Sequence, residues 1–252
     1  MCGIVGVYLK TKKFEKDLGK ILSGMLNNME SRGPDSAGFA IYKTENEKKF
    51  KYSICLNNLN FDDFRKEIIK KVKKPTINQY SDHVILTTSD EPKKVIKVIN
   101  SEFTNISLVG YGRSIEIFKQ VGNPKDVVKK FKLETFSGSH GIGHTRMATE
   151  SAITTDGSHP YSTGEDECLV HNGSLSNHNN LRRELKKQGN IFNSENDTEV
   201  AAGYVSNSLS KNKSLKDTLI SGLKDLDGFY TFITGTRKGF AVVRDEIACK
   251  PA

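Results

Sequence analysis

Residues 2–9 read Cys-Gly-Ile-Val-Gly-Val-Tyr-Leu, a short apolar run that begins at the second residue and is followed by lysines. Such a run predicts a buried strand. If the initiator methionine is removed, Cys2 carries a thiol and a free α-amine on one residue. The amine has an ordinary pKa of about 7.7–8.0, so it can act as general base for its own thiol. Cys2 is therefore a candidate nucleophile, although chance explains a second-residue cysteine better when it is taken alone.

The size and charge of the chain indicate an ordinary globular protein. It has 252 residues, of which 36% are apolar and 27% are charged. This composition predicts one large domain, or one domain that carries a smaller insert. The net charge is +8, but the lysines are interleaved with acidic residues, as in 45–51 and 62–74. That pattern favours a solvated lysine-rich surface over nucleic-acid binding.

The distribution of apolar residues and cysteines predicts the cellular compartment of the protein. No apolar run approaches the ~20 residues that a membrane-spanning helix needs. The N-terminus also lacks the layout of a signal peptide. The cysteines at positions 2, 55, 168 and 249 are far apart and form no Cys-x-x-Cys pair. We therefore predict a cytoplasmic protein with reduced cysteines and no membrane association.

The composition and the predicted secondary structure of the first half of the chain change near residue 45. Before it, Lys16–Asn28 has helical periodicity and Gly38–Tyr42 is strand-like. Residues 45–137 are lysine-rich and alternate strand-like with helix-like pieces in a βαβα order: Val84–Thr88, Pro92–Asn100, Ile106–Gly110 and Ser114–Val121. We predict a small α/β subdomain at 45–137, inserted into a domain that spans 2–252.

The second half has the pattern of a layered sheet with helices. The strand-like segments are Gly141–Met147, Cys168–His171, Gly228–Thr234 and Phe240–Arg244, and the helix-like segments are Leu181–Lys187 and Thr198–Leu209. This alternation favours a mixed fold of sheets covered by helices.

Four further segments carry polar and glycine-containing motifs: Ser31–Gly38, Gly143–Thr149, His159–Tyr161 with Val170–Asn177, and Asn196–Val200. Together with Cys2 and the glycines that follow it, they resemble, in order, the signature set of class II glutamine amidotransferases. The resemblance implies an α+β fold, the four-layer αββα sandwich of N-terminal-nucleophile hydrolases. It also implies an enzyme that hydrolyses L-glutamine to glutamate and ammonia through a γ-glutamyl thioester on Cys2.

A narrower resemblance covers Gly143–Ser158, Ser174–Leu185, Leu226–Thr231 and Arg244–Ala252. These segments look like the stand-alone amidotransferase subunit of archaeal-type glutamate synthase and of N-methylglutamate synthase. This implies a partner synthase subunit that receives the ammonia, in glutamate biosynthesis. Because relatives usually continue with further strands, a truncated C-terminus is also expected. Two interpretations stay open: a glutaminase domain of an amidophosphoribosyltransferase-like enzyme, and a non-catalytic glutamine-binding regulatory module.

Two charged residues match the family's positions for binding a zwitterion. Arg146 offers a bidentate fork for the glutamine carboxylate. Asp197 resembles the residue that binds the ammonium. Asn196 and Glu199 also have the spacing of a capping box, so helix capping is a second interpretation of this segment, and the two roles are compatible.

The remaining site residues follow from the same resemblance. The Asn172 side chain and the Gly173 backbone N–H resemble the family's oxyanion hole, although an Asn-Gly pair also suits a simple hairpin turn. Arg32 resembles a residue that helps to position Cys2. Thr149 and His159 resemble secondary residues of the substrate pocket.

Metal ions and organic cofactors are not predicted. His140 and His144, and Cys168 and His171, have spacings that superficially suit metal ligands, but no second matching pair completes a zinc pattern. The turn at residues 110–112 lacks the third glycine of a dinucleotide-binding fingerprint. The predicted ligands are therefore L-glutamine and a protein partner.

Overall fold

The computed structural model describes residues 2–148 and 152–251. Its strands are β1 (Gly3–Tyr8), β2 (Ser36–Tyr42), β3 (Phe50–Cys55), β4 (Thr76–Tyr80), β5 (His83–Thr88), β6 (Ser107–Gly112), β7 (Ile115–Val121), β8 (His140–Arg146), β9 (Cys168–Leu175), β10 (Gly228–Thr236) and β11 (Gly239–Arg244). Its α-helices are α1 (Leu18–Asn28), α2 (Phe61–Lys71), α3 (Pro92–Glu102), α4 (Pro124–Phe131), α5 (His178–Lys187), α6 (Asp197–Ser210) and α7 (Leu215–Asp225).

Two antiparallel sheets form the centre of the molecule. One has the strand order β1-β8-β2-β7 and the other β11-β10-β9. The side chains of Ile4, Ile142, Val170 and Ile233 belong to one buried cluster that both sheets share. Since successive side chains of a strand point to opposite faces, every second residue of these strands faces the other sheet.

Helices cover the outer faces of both sheets. Leu22 of α1 and Phe131 of α4 pack with Phe39 of β2 in a second buried cluster. On the other side, Ala201 of α6 packs with Leu175 of β9. The result is a helix–sheet–sheet–helix sandwich, and it confirms the predicted four-layer αββα fold.

A third sheet, of order β4-β5-β3-β6, has a core of its own. That core includes Tyr52 of β3, Phe64 of α2 and Val95 of α3. The range 45–137 is thus divided, because β7 and α4 belong to the first central sheet and its helical cover. The insert of 45–137 as a domain stays a prediction.

The predicted helix at Ser114–Val121 is wrong, because residues Ile115–Val121 form β7 and pair with β2. Ile117 packs between the two central sheets, whereas Phe118 packs under the helices. A strand with apolar residues on both faces loses its period of two, so the segment resembles a buried helix.

None of the helices within the described ranges is long and apolar enough to cross a membrane.

Candidate active site

A cavity of about 280 Å³ brings together several of the predicted site residues. Its lining is Cys2, Arg146, Met147, Ala148, His159, His171, Gly173, Ser174, His178, Glu195, Asn196, Asp197 and Thr198. The volume is near the lower end of the range of ~300–1,000 Å³ for small-molecule sites, which suits a ligand as small as an amino acid. Of the four cysteines, Cys2 is the one in this lining.

Cys2 lies at the start of β1 and is held by two contacts. Its Sγ donates to the Met147 carbonyl oxygen over 3.9 Å, and Arg32 Nε donates to the Cys2 carbonyl oxygen over 3.2 Å. Burial raises the pKa of the Cys2 thiol, and the Met147 hydrogen bond and the charge of Arg146 lower it by less. The thiol is therefore protonated near neutral pH and needs a base to react.

Arg146 ends β8 and is buried at the cavity wall. Its Nη1 donates to the Ala152 carbonyl oxygen over 3.1 Å. The loop after Arg32 packs on the same strand end, since Asp35 N donates to the Arg146 carbonyl oxygen over 3.0 Å. Gly33 is required for this approach, because a Cβ there would lie 2.4 Å from the Thr145 carbonyl oxygen. Arg146 therefore lines the cavity, whereas Arg32 does not line it and contacts the main chain of Cys2 instead.

Asp197 is the first residue of α6, and the preceding Asn196 is the N-cap. Asn196 Oδ1 accepts a hydrogen bond from Thr198 N over 2.9 Å, so the capping interpretation is correct for this residue. Glu199 does not close a capping box with it and accepts instead from Asn193 N and Ser194 N, both over 2.8 Å. The carboxylate of Asp197 lines the cavity in addition to standing at the helix start.

The charge of Asp197 is maintained by its surroundings. Burial alone raises the pKa of Asp197, but contacts with His171 and the amide of Leu175 outweigh burial and lower that pKa to about 2. Leu175 N donates to Oδ2 over 2.8 Å, and His171 Nδ1 lies 3.6 Å from Oδ1. At neutral pH the cavity therefore presents a carboxylate from Asp197 and a guanidinium from Arg146.

A buried network of histidines around Thr198 was missed from sequence. Thr198 Oγ1 lies 2.8 Å from His159 Nε2, 3.0 Å from His171 Nδ1 and 3.3 Å from Asp197 Oδ1. An ionised carboxylate only accepts, so we assign the hydroxyl proton to the Asp197 contact and one N–H donor to each histidine. The position of Thr198 directly after the proposed ligand Asp197 is the signal that could have found it.

Two of the histidines are neutral at physiological pH. Burial lowers the pKa of His159 well below its ordinary value, and burial also lowers the pKa of His144 to about 3. Their rings stack with centroids 3.8 Å apart, and His144 Nε2 donates to the His171 carbonyl oxygen over 2.9 Å. His159 therefore forms a rigid, uncharged part of the cavity wall. Thr149, the other predicted secondary pocket residue, lies outside the described residues.

Asn172 and Gly173 lie within β9, opposite Thr231 and Tyr230 of β10. The hairpin-turn interpretation is therefore wrong, because both residues are paired inside a sheet. Gly173 has φ +144°, and a Cβ there would lie 1.9 Å from the Phe229 carbonyl oxygen, so only glycine fits. Asn172 is only 2% exposed and does not line the cavity, and its Nδ2 donates to the Pro251 carbonyl oxygen over 3.1 Å.

One group of described side chains has the donor types of a metal site, and it lies in the third sheet. Donor atoms of Cys55, Asp82 and His83 are all within 4.8 Å of one another. The Asp82 carboxylate already pairs with Lys130 Nζ at 2.9 Å. This cation competes with any metal, and the group is not part of the Cys2 cavity.

Comparison with known proteins shows the family to which the chain belongs. A family described as a glutamine amidotransferase domain matches residues 144–252. The glutamine amidotransferase-like protein GlxB of Rhizobium meliloti (strain 1021) is 49% identical over 255 residues, which cover 100% of this chain and 85% of that protein. This chain belongs to the class II glutamine amidotransferases. It is therefore an enzyme of that class.

Two further comparisons extend this result. The amidotransferase is 31% identical to a putative glutamine amidotransferase of Methanothermobacter thermautotrophicus, over 100% of this chain and 87% of that protein. A structure of the allosteric regulatory enzyme of purine biosynthesis superposes with a TM-score of 0.60 at 19% identity. The match covers 97% of this chain and 37% of that structure's chain. At this identity the likeness shows the shared fold.

Proposed function

We propose that this amidotransferase hydrolyses L-glutamine to glutamate and ammonia through a γ-glutamyl thioester on Cys2, and that a separate synthase subunit receives the ammonia. The observation that carries the proposal is the single cavity lined by Cys2, Arg146 and Asp197. It places a nucleophile, a cation and an anion within reach of one small ligand. That is the set of groups that a zwitterionic amide substrate needs.

The two charges select the amino-acid end of glutamine. The guanidinium of Arg146 binds the α-carboxylate, and Asp197 binds the α-ammonium. Asp197 keeps its charge because contacts with His171 and Leu175 N lower its pKa to about 2, against the effect of burial. With that end fixed, the side-chain amide extends toward the Cys2 thiol.

The chemistry requires a base for the buried thiol. After removal of Met1, the α-amine of Cys2 takes the thiol proton and passes it to the leaving nitrogen. Sulfur attack on the amide carbon forms a tetrahedral oxyanion. We assign two donors to it: the N–H of Gly173, which lines the cavity, and the amide of Asn172, which does not line it but lies on the face of β9 that is turned toward the Cys2 strand. Ammonia leaves, a thioester remains, and water then releases glutamate. Arg32 contributes by holding the Cys2 carbonyl group.

A separate synthase partner is supported by the lengths of the relatives. The chain covers 85% and 87% of the two relatives described above, but only 18% of a glutamine–fructose-6-phosphate aminotransferase of Pseudomonas putida that is 37% identical over 112 residues. Relatives of similar length suit a stand-alone glutaminase subunit. The narrower resemblance to the glutamate synthase group supports glutamate biosynthesis as the use of this ammonia.

The test is covalent labelling with a glutamine-like diazoketone. We expect one adduct per chain, located on Cys2 by peptide mapping, and glutamine should slow its formation. Cys2→Ala should abolish both labelling and glutaminase activity, whereas the control variant Cys55→Ala, at a cysteine of the third sheet outside the cavity, should keep both. An adduct on another cysteine, or an active Cys2→Ala protein, would contradict the proposal.

A further inference from the structure

The segment that follows β11 contacts the proposed oxyanion donor directly. Asn172 Nδ2 donates to the Pro251 carbonyl oxygen over 3.1 Å, and Thr231 Oγ1 donates to the Lys250 carbonyl oxygen over 2.7 Å. Asn172 and Thr231 are cross-strand partners in β9 and β10. Two opposed side chains therefore hold two consecutive carbonyl groups of one segment.

These contacts lie on the face of the sheet that is turned toward the Cys2 strand. Val170 of β9 and Ile233 of β10 pack in the cluster between the two central sheets. Asn172 and Thr231 are each two residues away from them, so their side chains share that face. Cys2 likewise stands two residues before Ile4, which packs in the same cluster.

The start of the segment is fixed to the sheet as well. Asp245 Oδ1 accepts from Tyr230 N over 2.9 Å, and Asp245 Oδ2 accepts from Ile247 N over 3.0 Å and from Ala248 N over 3.1 Å. Asp245 N also donates to the Tyr230 carbonyl oxygen over 3.1 Å. Asp245 thus anchors the start of the segment to β10, and Thr231 of β10 holds the carbonyl group of Lys250, the residue before Pro251.

We infer that residues 245–251 act as a positioning segment for the Asn172 amide. An asparagine amide has two N–H donors on one side and an acceptor oxygen on the other. A carbonyl group facing it favours the orientation with Nδ2 toward Pro251, because the flipped amide would bring two acceptors together. One N–H is then held by Pro251, and the second is directed in a fixed orientation for the oxyanion.

This inference rests on the proposed function, since it needs Asn172 to stabilise an oxyanion. It makes Thr231 and Asp245 positioning residues, which act through the segment and not on the substrate. Loss of their contacts should therefore affect the transition state more than the binding of glutamine.

The experiment compares variants of threonines on the same strand. Thr231→Val removes the donor to Lys250, and we expect a roughly tenfold lower kcat with an unchanged KM for glutamine; Thr231→Ser should restore most of the activity. Asn172→Ala should lower kcat further, by about 10²–10³-fold, the usual effect of losing one oxyanion donor. Thr234→Val is the matched control, because the buried Thr234 hydroxyl has no hydrogen-bond partner among residues 2–148 and 152–251.

The outcomes separate this inference from the proposed function. A folded Thr231→Val protein with normal kcat, or with only KM changed, would overturn the positioning segment. If Thr231→Val does not fold, Asp245→Asn gives the same test, with lower kcat and normal KM supporting the inference and normal kcat overturning it. An active Cys2→Ala protein would instead contradict the thioester mechanism itself.

Discussion

At the scale of single residues, one hydroxyl group connects most of the polar wall of the active site. Thr198 Oγ1 contacts His159, His171 and Asp197. One hydroxyl group therefore joins three polar side chains in a hydrogen-bond network. In a buried site such a network restricts rotamers, because each displaced member would leave a polar atom without its partner. This network holds the carboxylate of Asp197 in one orientation before a ligand binds.

The charge pair of the cavity gives a prediction for substrate binding. Arg146→Lys removes the planar fork but keeps the positive charge. We expect KM for glutamine to rise by about 10–100-fold with a much smaller change in kcat, since a hydrogen bond to a charged group contributes ~1.5–3 kcal/mol. Steady-state kinetics test this, and thermal melting checks the fold, since Arg146 also bonds Ala152. An unchanged KM would show that Arg146 does not bind the carboxylate.

At the scale of elements, helix α1 shows how local space decides the effect of a glycine. Gly24 faces open space, since no heavy atom of the described part of the chain lies within 4 Å of a Cβ built there. Gly19 faces the chain that follows α4, where a Cβ would lie 2.1 Å from the Leu133 carbonyl oxygen. The same residue type therefore has opposite structural roles five positions apart in one helix.

Gly24→Ala should raise the free energy of unfolding by ~0.5–1 kcal/mol, because alanine loses less backbone entropy in a helix. Gly19→Ala should lower it by several times that amount, because the backbone around Leu133 would have to shift. Urea unfolding of both variants measures the difference. Equal effects of the two substitutions would show that α1 does not pack on residues 133–136 in this way.

At the scale of the whole molecule, strand β7 connects the third sheet to the active site. Ile117 N of β7 donates to Ser53 Oγ of β3, in the third sheet, over 2.9 Å. Further along, Lys119 Nζ donates to the carbonyl oxygens of Asp156 and Ser158, over 3.1 and 2.9 Å. Ser158 directly precedes His159 of the cavity wall. If a partner bound to the third sheet and shifted β7, the shift would therefore act on the wall of the glutamine cavity through Lys119 and Ser158.

We predict that the isolated amidotransferase has weak glutaminase activity and that its synthase partner raises kcat/KM about tenfold. This change needs only ~1.4 kcal/mol of barrier lowering, within reach of one reordered donor. A pull-down with native protein should supply the partner for a glutaminase assay. Full activity of the lone subunit, unaffected by the partner, would contradict the coupling.

We propose the third sheet with its helices α2 and α3 as the docking surface for a synthase partner. Charge reversal tests this, because deletion of 45–137 would also remove β7 from a central sheet. The double variant Lys93→Glu/Lys97→Glu changes the exposed face of α3 in the third sheet. It should lose the stimulation and keep basal activity. Lys216→Glu/Lys224→Glu on α7 is the matched control and should keep both. Loss of stimulation in the control alone would place the partner on the other side of the molecule.

The sequence predicted the elements whose signals are local. The apolar run after Cys2 is β1, and the helical periodicity of Lys16–Asn28 became α1, two residues shorter at its start. The ordered motifs also predicted a set of residues of which Cys2, Arg146, His159, Gly173 and Asp197 line one cavity. Motifs carry such information because the groups that a zwitterionic amide needs are few and chemically distinct.

By itself, then, the sequence determined the fold class and the family, and it predicted five of the thirteen residues that line the cavity. Only the tertiary structure decided the rest. Ile115–Val121 became a strand because it packs on both faces, and Asn172 with Gly173 became part of β9 because β10 pairs with them. The contacts of Thr198 and of residues 245–251 join segments far apart in the chain. No local pattern encodes such contacts, because they depend on how two sheets stack and not on the period of either strand.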